Sequence, residues 1–280
     1  MNAPQTTDPI MAPETAQLEG LLNTALAGTG LALPRVEVLQ RVDSTNAWLL
    51  HRTEPDAGTG PCVCLAREQA AGRGRRGRTW LARPDAGLAL SLAWPVSAEE
   101  PVPSAYPIGV GLGVIRALET LGIGELGLKW PNDVVHGAAK LGGILVEQRV
   151  PRAGRPGRLV VGIGINRSGS RALDLDREVT DLSALCDGQQ PGWLELAAEL
   201  SAWQMRLHPV LMGQGLAALA NDLDRLDVLA GREVRVPDTG LAGIARGICL
   251  GSGRLRVEDA AGDLHHLDAG EVSIGRTGHA

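Results

Sequence analysis

At 280 residues with 44% hydrophobic side chains, the chain has room for one large domain with an appendage and enough apolar surface for a sizeable core. A formal charge of -5 excludes a protein whose whole surface binds nucleic acid, and the first 20 residues lack the basic start and apolar run of a signal peptide. No apolar stretch is long enough for a membrane span, so the expected setting is cytoplasmic, with no membrane partner.

With no Phe, one Tyr and six Trp, the core must be built from Leu, Val, Ile and Ala. Residues 1–34, rich in Ala, Thr, Pro and Gly, read as a variable leader holding at most a short helix. Val36, Val38 and Val42 then alternate with polar residues as in a half-buried strand, and Asp43-Ser44-Thr45 supplies N-cap chemistry for a helix through Leu50. Buried strands are predicted at 61–66 and 88–94, and a helix over 104–121. Strands at 126–130, 141–148 and 159–165 follow, then a helical stripe from Trp193 to Leu207 and a weaker one over 216–229.

Beyond Gly231 the texture changes to short β runs at 232–236, 242–250, 253–258, 263–267 and 271–274, punctuated by turn residues. The expected division is a leader (1–34), an α/β domain of mixed strand order (35–230) and a small all-β barrel (231–280). The four cysteines, Cys62, Cys64, Cys186 and Cys249, have no zinc-site spacing. Strand alternation points Cys62 and Cys64 to the same side, as reduced, packing thiols. No metal site is expected.

The segment Arg67-Glu-Gln-Ala-Ala-Gly72-Arg-Gly-Arg-Arg-Gly-Arg-Thr-Trp80 is the most informative. Arg67, Arg73, Arg75, Arg76, Arg78 and Arg83 crowd into 17 positions of an acidic chain. Gly72, Gly74 and Gly77 offer positive φ and close approach to a ligand, while guanidinium forks suit phosphate or carboxylate oxygens. Such a loop should be floppy when empty and ordered by an anion. Gly72-x-Gly-x-x-Gly77 also matches a dinucleotide fingerprint literally, but arginines fill the variable positions and no helical pattern follows. A Walker loop needs a Gly-Lys-Ser/Thr that is absent here. An RNA-binding arginine segment stays open, though it lacks interleaved aromatics.

Asp43-Ser-Thr-Asn46, Gly72-Arg-Gly-Arg-Arg-Gly-Arg78, Lys129-Trp-Pro-Asn-Asp133 with Lys140-Leu-Gly-Gly-Ile-Leu-Val-Glu147, and Gly162-Ile-Gly-Ile-Asn166 resemble, in order and spacing, the catalytic domain of biotin protein ligases. The resemblance runs from about Arg35 to the C-terminus and implies a mixed-sheet biotin/lipoate ligase-like domain followed by an SH3-like β-barrel. It implies an ATP-dependent enzyme that forms biotinyl-5'-AMP and passes biotin to a lysine of a biotin carboxyl carrier protein, with Mg2+ accompanying ATP. A homodimer is left open. The alternative within the superfamily is a lipoate or octanoyl ligase or transferase.

By the same resemblance, biotin is held by Ser44, Thr45, Asn46, Gln69, Gly72, Arg73, Gly74, Arg75, Trp80 and Lys140. Hydroxyl and amide groups of this kind can donate to and accept from a ureido ring. Arg73, Arg75 and Lys140 are the cations expected to offset the repulsion between biotin's carboxylate and the α-phosphate of ATP. Arg75, Arg76, Arg78, Asn132 and Asn166 are the nucleotide candidates. Asp133 reads two ways, as the group that takes a proton from the incoming lysine or as a turn residue. Trp80 likewise packs on biotin's aliphatic part or simply ends the loop as a core aromatic.

Two departures from the family pattern stand out. Gly275 separates Ile274 from Arg276, where the family places arginine directly after the hydrophobic residue. No aromatic lies between 167 and 192, so an aliphatic such as Val179 is the candidate to cover adenine. A repressor would need a basic recognition helix, and the leader carries no basic residue before Arg35, so no DNA binding is expected.

Overall fold

The computed structural model describes residues 10–51, 60–80, 84–97, 99–152, 157–170 and 178–274; Arg83 and Arg276 lie outside these. The elements in chain order are α1 (Ala12–Ala25), β1 (Arg35–Val42), α2 (Thr45–His51), β2 (Cys62–Gln69), β3 (Gly87–Val96), α3 (Tyr106–Thr120), β4 (Leu126–Lys129), β5 (Asp133–His136), β6 (Ala139–Arg149) and β7 (Gly157–Asn166). Then come α4 (Leu182–Leu185), α5 (Trp193–Gln214), α6 (Ala220–Leu226) and five short strands, β8 (Glu233–Val236), β9 (Leu241–Ile248), β10 (Leu255–Glu258), β11 (Leu264–Leu267) and β12 (Ser273–Ile274).

The first seven strands form one sheet in the order β1-β2-β3-β7-β6-β5-β4. Only β1 and β2 run parallel; the other neighbours are antiparallel, so the sheet is mixed, as expected. Period-two alternation sorts side chains between its faces. Leu88, Leu90 and Leu92 of β3 join the main core with Leu18 and Leu22 of α1, the apolar side of α3, and Leu196 and Leu200 of α5. On the other face, the smaller Cys62, Cys64, Ala66, Ala93 and Val160 leave room for α2, whose Leu49 is buried against them. The two cysteines thus share one face, buried and unbridged.

Helix α3 carries Gly109, Gly111 and Gly113, which would ordinarily weaken a helix by roughly 1 kcal/mol each. Packing explains them. A Cβ at Gly109 would stand 2.3 Å from Leu211 of α5, and one at Gly111 would stand 2.5 Å from Leu128. Each edge strand of the sheet carries an isolated backbone bridge to a neighbouring segment. Met11 N donates to Val38 O at 2.8 Å along β1, and Val228 N donates to Leu128 O at 3.1 Å along β4.

Three details differ from the sequence reading. Strand β2 runs on to Gln69, so Arg67 and Gln69 sit on a strand and the loop begins only at Ala70. The strand expected at 126–130 is β4, but it forms a hairpin with a second strand that was not expected, β5, whose four residues are too few for alternation to reveal. The C-terminal module is a five-stranded antiparallel sheet, β11-β10-β9-β8-β12, in which the edge strands do not pair with each other to close a barrel. It is seated on the first sheet by Trp130, whose Nε1 donates to Gly253 O at 2.9 Å. Among the described residues no helix is long and apolar enough to cross a membrane.

Candidate functional site

Helix α2 begins beneath the junction of β2, β3, β6 and β7, and its first turn is polar because it forms one wall of a cavity of about 180 Å³. Ser44, Thr45 and Asn46 are each only 3% exposed. Thr45 N donates to Gln69 Oε1 at 2.9 Å, joining the start of α2 to the end of β2. Ser91 Oγ, fully buried on β3, lies 2.7 Å from Thr45 Oγ1 and 2.6 Å from Asn46 Oδ1. Asn46 Nδ2 donates to Leu145 O at 3.2 Å and to Glu147 Oε2 at 2.9 Å. The other oxygen of Glu147 meets the Arg73 guanidinium at 2.8 Å.

The floor is made of backbone. A Cβ at Gly162 would stand 2.3 Å from Asn46 Oδ1, and one at Gly164 would stand 2.6 Å from the Trp80 ring. Only glycine lets the indole lie flat on β7. Trp80 thus lines the cavity, with its Nε1 buried and without a hydrogen-bond partner among the described residues. Lys140 Nζ lies 5.7 Å from the Trp80 ring centroid and is ion-paired with Asp133. Beside them, Arg75 Nη1 donates to Asn132 Oδ1 at 3.3 Å, and Asn132 Nδ2 donates to Ile144 O at 2.8 Å. Burial, and then the neighbouring Arg76, lower the pKa of Arg75, while Asp133 opposes them. A half-buried cation in this position favours an anionic partner.

The arginine-glycine segment is a closed strap rather than a loose loop. Trp80 N donates to Gly72 O at 2.9 Å, and Gly74 N to Arg78 O at 2.7 Å. Its tip is clasped by the C-terminal sheet: Arg76 Nη1 meets Asp238 at 2.5 Å, and Arg78 reaches both oxygens of Glu271 at 3.1 and 2.6 Å. The bond to Glu271 raises the pKa of Arg78. Of the three glycines expected to take positive φ, only Gly77 does (φ 74), together with Arg76 (φ 55). Gly72 is required for a different reason, since its Cβ would stand 2.5 Å from Trp80 O. Arg67 points away from the cavity, to Asp85 at 3.0 Å and over the Trp193 ring.

Ser44, Thr45, Asn46, Gln69, Arg73, Gly74, Arg75, Arg76, Arg78, Trp80, Asn132, Asp133 and Lys140 all line this cavity. Gly72 and Asn166 do not. Asn166 Nδ2 donates to Thr180 O at 3.0 Å and Lys140 O at 3.3 Å, which ties the segment carrying Val179 to the start of β6. Sequence reasoning missed Ser91 and left Glu147 without a role. A lone serine in Leu-Ala-Leu-Ser-Leu-Ala-Trp was the available signal for the first. Gly270, Glu271 and Val272 line the cavity from the C-terminal sheet, and nothing local in the sequence announces that. Among the described residues no cluster of three His, Cys, Asp or Glu could hold a metal ion.

Residues 38–166 match the model of the Biotin/lipoate A/B protein ligase family. The chain is 32% identical over 263 residues to the Biotin--[acetyl-CoA-carboxylase] ligase of Mycobacterium tuberculosis, covering 89% of this chain and 95% of that one. It is 31% identical over 258 residues to the Bifunctional ligase/repressor BirA of Escherichia coli, covering 85% of this chain and 74% of that one. Its fold is similar to that of the biotin protein ligase from Aquifex aeolicus in complex with biotin and ATP, with a TM-score of 0.70 at 26% identity over 87% of this chain and 99% of that one.

Proposed function

Because the chain belongs to the biotin/lipoate A/B protein ligase family, we propose that it is an ATP-dependent biotin ligase, which makes biotinyl-5'-AMP and transfers biotin to a lysine of a biotin carboxyl carrier protein. One observation carries the reading: a single cavity joins a buried wall of hydroxyls and amides to a rim of Arg73, Arg75 and Lys140. The wall suits a ureido ring, which both donates and accepts, and the rim suits the carboxylate and phosphates.

In the first step a biotin carboxylate oxygen attacks the α-phosphorus of ATP and pyrophosphate leaves. Two anions must approach, so Arg73, Arg75 and Lys140 offset their repulsion and stabilise the charge of the transition state. Trp80 packs on the aliphatic chain of biotin, and Arg76, Arg78 and Asn132 hold phosphate and ribose oxygens. In the second step the lysine amine attacks the acyl carbon and AMP leaves. Asp133, which lines the cavity in an ion pair with Lys140, receives the amine proton. Asn166 and Val179, beyond the Lys140 end of the cavity, are the proposed surroundings of adenine. Mg2+ would enter as the counter-ion of the ATP phosphates.

The lipoate alternative is weaker, since relatives at 32% and 38% identity are named Biotin--[acetyl-CoA-carboxylase] ligase. Incubation of the protein with ATP, biotin and an acceptor domain, followed by mass spectrometry of the acceptor, tests the assignment. Biotinylation of one lysine is expected; modification by lipoate alone would overturn it. Operator-specific DNA binding is not expected of residues 1–34, which hold no basic side chain, and a salt-sensitive, sequence-specific gel shift would contradict that.

A further inference from the structure

Strand β7 pairs with β6 from Gly142 onward and does not reach Lys140. At Lys140 a different segment takes its place, for Lys140 and Val179 form an isolated parallel bridge. Lys140 N donates to Glu178 O at 3.0 Å, and Thr180 N donates to Lys140 O at 2.9 Å. Asn166, the last residue of β7, spans the join: its Nδ2 donates to Lys140 O at 3.3 Å and to Thr180 O at 3.0 Å. On the opposite side Lys140 faces Val135 of β5, where the register shifts. The backbone that carries the Lys140 ammonium is therefore set on its β7 side by residues 178–180 rather than by the main sheet.

Residues 178–180 run straight into Asp181, which is 4% exposed and whose carboxylate accepts four hydrogen bonds. Oδ1 takes the Ser183 hydroxyl at 2.7 Å and Ala184 N at 3.1 Å, which caps α4. Oδ2 is not needed for that cap. It takes both N and Oγ of Ser170, at 2.9 Å each and 11 positions back along the chain. Burial would raise the Asp181 pKa, but the bonds from Ser183, Ser170 and Ala184 outweigh it and lower the pKa. A serine would cap the helix as well. The second oxygen is what ties this segment to the chain that leaves β7.

We propose that Asp181 is a positioning residue for the first chemical step: through its bonds to Ser170 it holds residues 178–180 against β6, and so fixes where the Lys140 ammonium stands in the cavity. Asp181 does not line the cavity and acts through the backbone of Lys140. Without its second oxygen the 178–180 segment loses an anchor, and the ammonium, at the end of a long flexible stem, loses a fixed base. Misplacement by about 1 Å is enough to slow a reaction by about 10²-fold. The role assigned to Lys140 rests on the biotin ligase reading.

The test measures single-turnover pyrophosphate release, at saturating biotin and ATP, in wild type, Asp181→Ser, Lys140→Ala and the double variant. Serine keeps the cap of α4 and deletes the oxygen that meets Ser170. Asp181→Ser is expected to slow release about tenfold, to leave the KM for biotin within about twofold, and to cause no further loss when Lys140 is already alanine. Ser170→Ala, which deletes one contact, should slow release about threefold with the same dependence on Lys140, and it carries the test if Asp181→Ser does not fold. Wild-type rates in the folded variants overturn the proposal. So does a loss that persists undiminished in the Lys140→Ala background, which is the mark of a merely structural role. A wild type inactive with biotin and ATP removes the ligase reading and this proposal together, whereas an active wild type slowed by Lys140→Ala but not by Asp181→Ser removes this proposal alone.

Discussion

Lys140 and Asp133 are ion-paired across neighbouring antiparallel strands, and the amine of that lysine lies 5.7 Å from the centroid of the Trp80 ring on the cavity floor. The pair joins the cation proposed for the first chemical step to the carboxylate proposed for the second. Lys140→Ala is expected to slow pyrophosphate release by roughly 10²–10³-fold, the usual effect of removing one group that stabilises a developing anion. Arg73→Ala should act similarly. Neither side chain belongs to an apolar core cluster, so the folded state should survive in both. Wild-type release in the two variants would take these residues out of the mechanism.

The clasp between the strap and the C-terminal sheet is held by ion pairs whose side chains are about half exposed, 50% and 50% for Arg76–Asp238 and 53% and 53% for Arg78–Glu271. Exposed pairs contribute about 0–1 kcal/mol each. Asp238→Ala with Glu271→Ala should therefore leave the thermal midpoint nearly unchanged but speed tryptic cleavage within 75–78 several-fold. High salt should reproduce the effect in the wild type by screening. Unchanged cleavage in both experiments would mean that the clasp does not hold the strap.

Gly164 has no room for a methyl group, because its Cβ would stand 2.6 Å from the Trp80 ring. Gly164→Ala must lift the indole into the cavity. The expected outcome is a loss of about 1–3 kcal/mol in denaturant unfolding together with a raised KM for biotin. A variant with unaltered KM would place the ligand elsewhere.

Outside the cavity lining, His208 stacks on Trp94 at 4.3 Å and shares a hydrogen bond of 2.8 Å with the Tyr106 hydroxyl. Burial lowers its pKa to about 4. An unfolded histidine titrates near ~6.5, so on acidification the unfolded chain takes up the proton first. The contribution of this group is complete above about pH 6.5 and is lost as pH falls toward 4, with at most about 3 kcal/mol at stake. Urea unfolding of wild type and His208→Gln between pH 7 and 4.5 should show the wild type losing stability faster. Parallel curves would refute the assignment.

Much of the site was legible in the residues because its parts are local. Ser44-Thr45-Asn46 caps and opens a helix, the arginines crowd one strap, and Lys140 follows a turn. The reading faltered where a side chain's direction mattered. Arg67 belongs to the arginine-rich run but lies on β2 and turns toward Asp85. Asn166 ends the expected strand, and its amide donates to the Thr180 carbonyl, a pairing across 14 positions that local spacing does not reveal. Glycine frequency suggested left-handed backbone, yet Gly72 and Gly164 are needed because other atoms approach them, which depends on residues distant in the chain.

The sequence by itself determined the layers and the chemistry. Alternating large and small residues set the two faces of the sheet, and a run of arginines and glycines set a cationic rim, since both follow from local spacing and side-chain type. Only the tertiary structure decided which groups meet: Glu147 with Asn46 across 101 positions, and Glu271 with Arg78 across 193. Such pairings follow from strand order and from how the second sheet seats on the first. These are set by the joint burial of many side chains, which no short window of sequence contains.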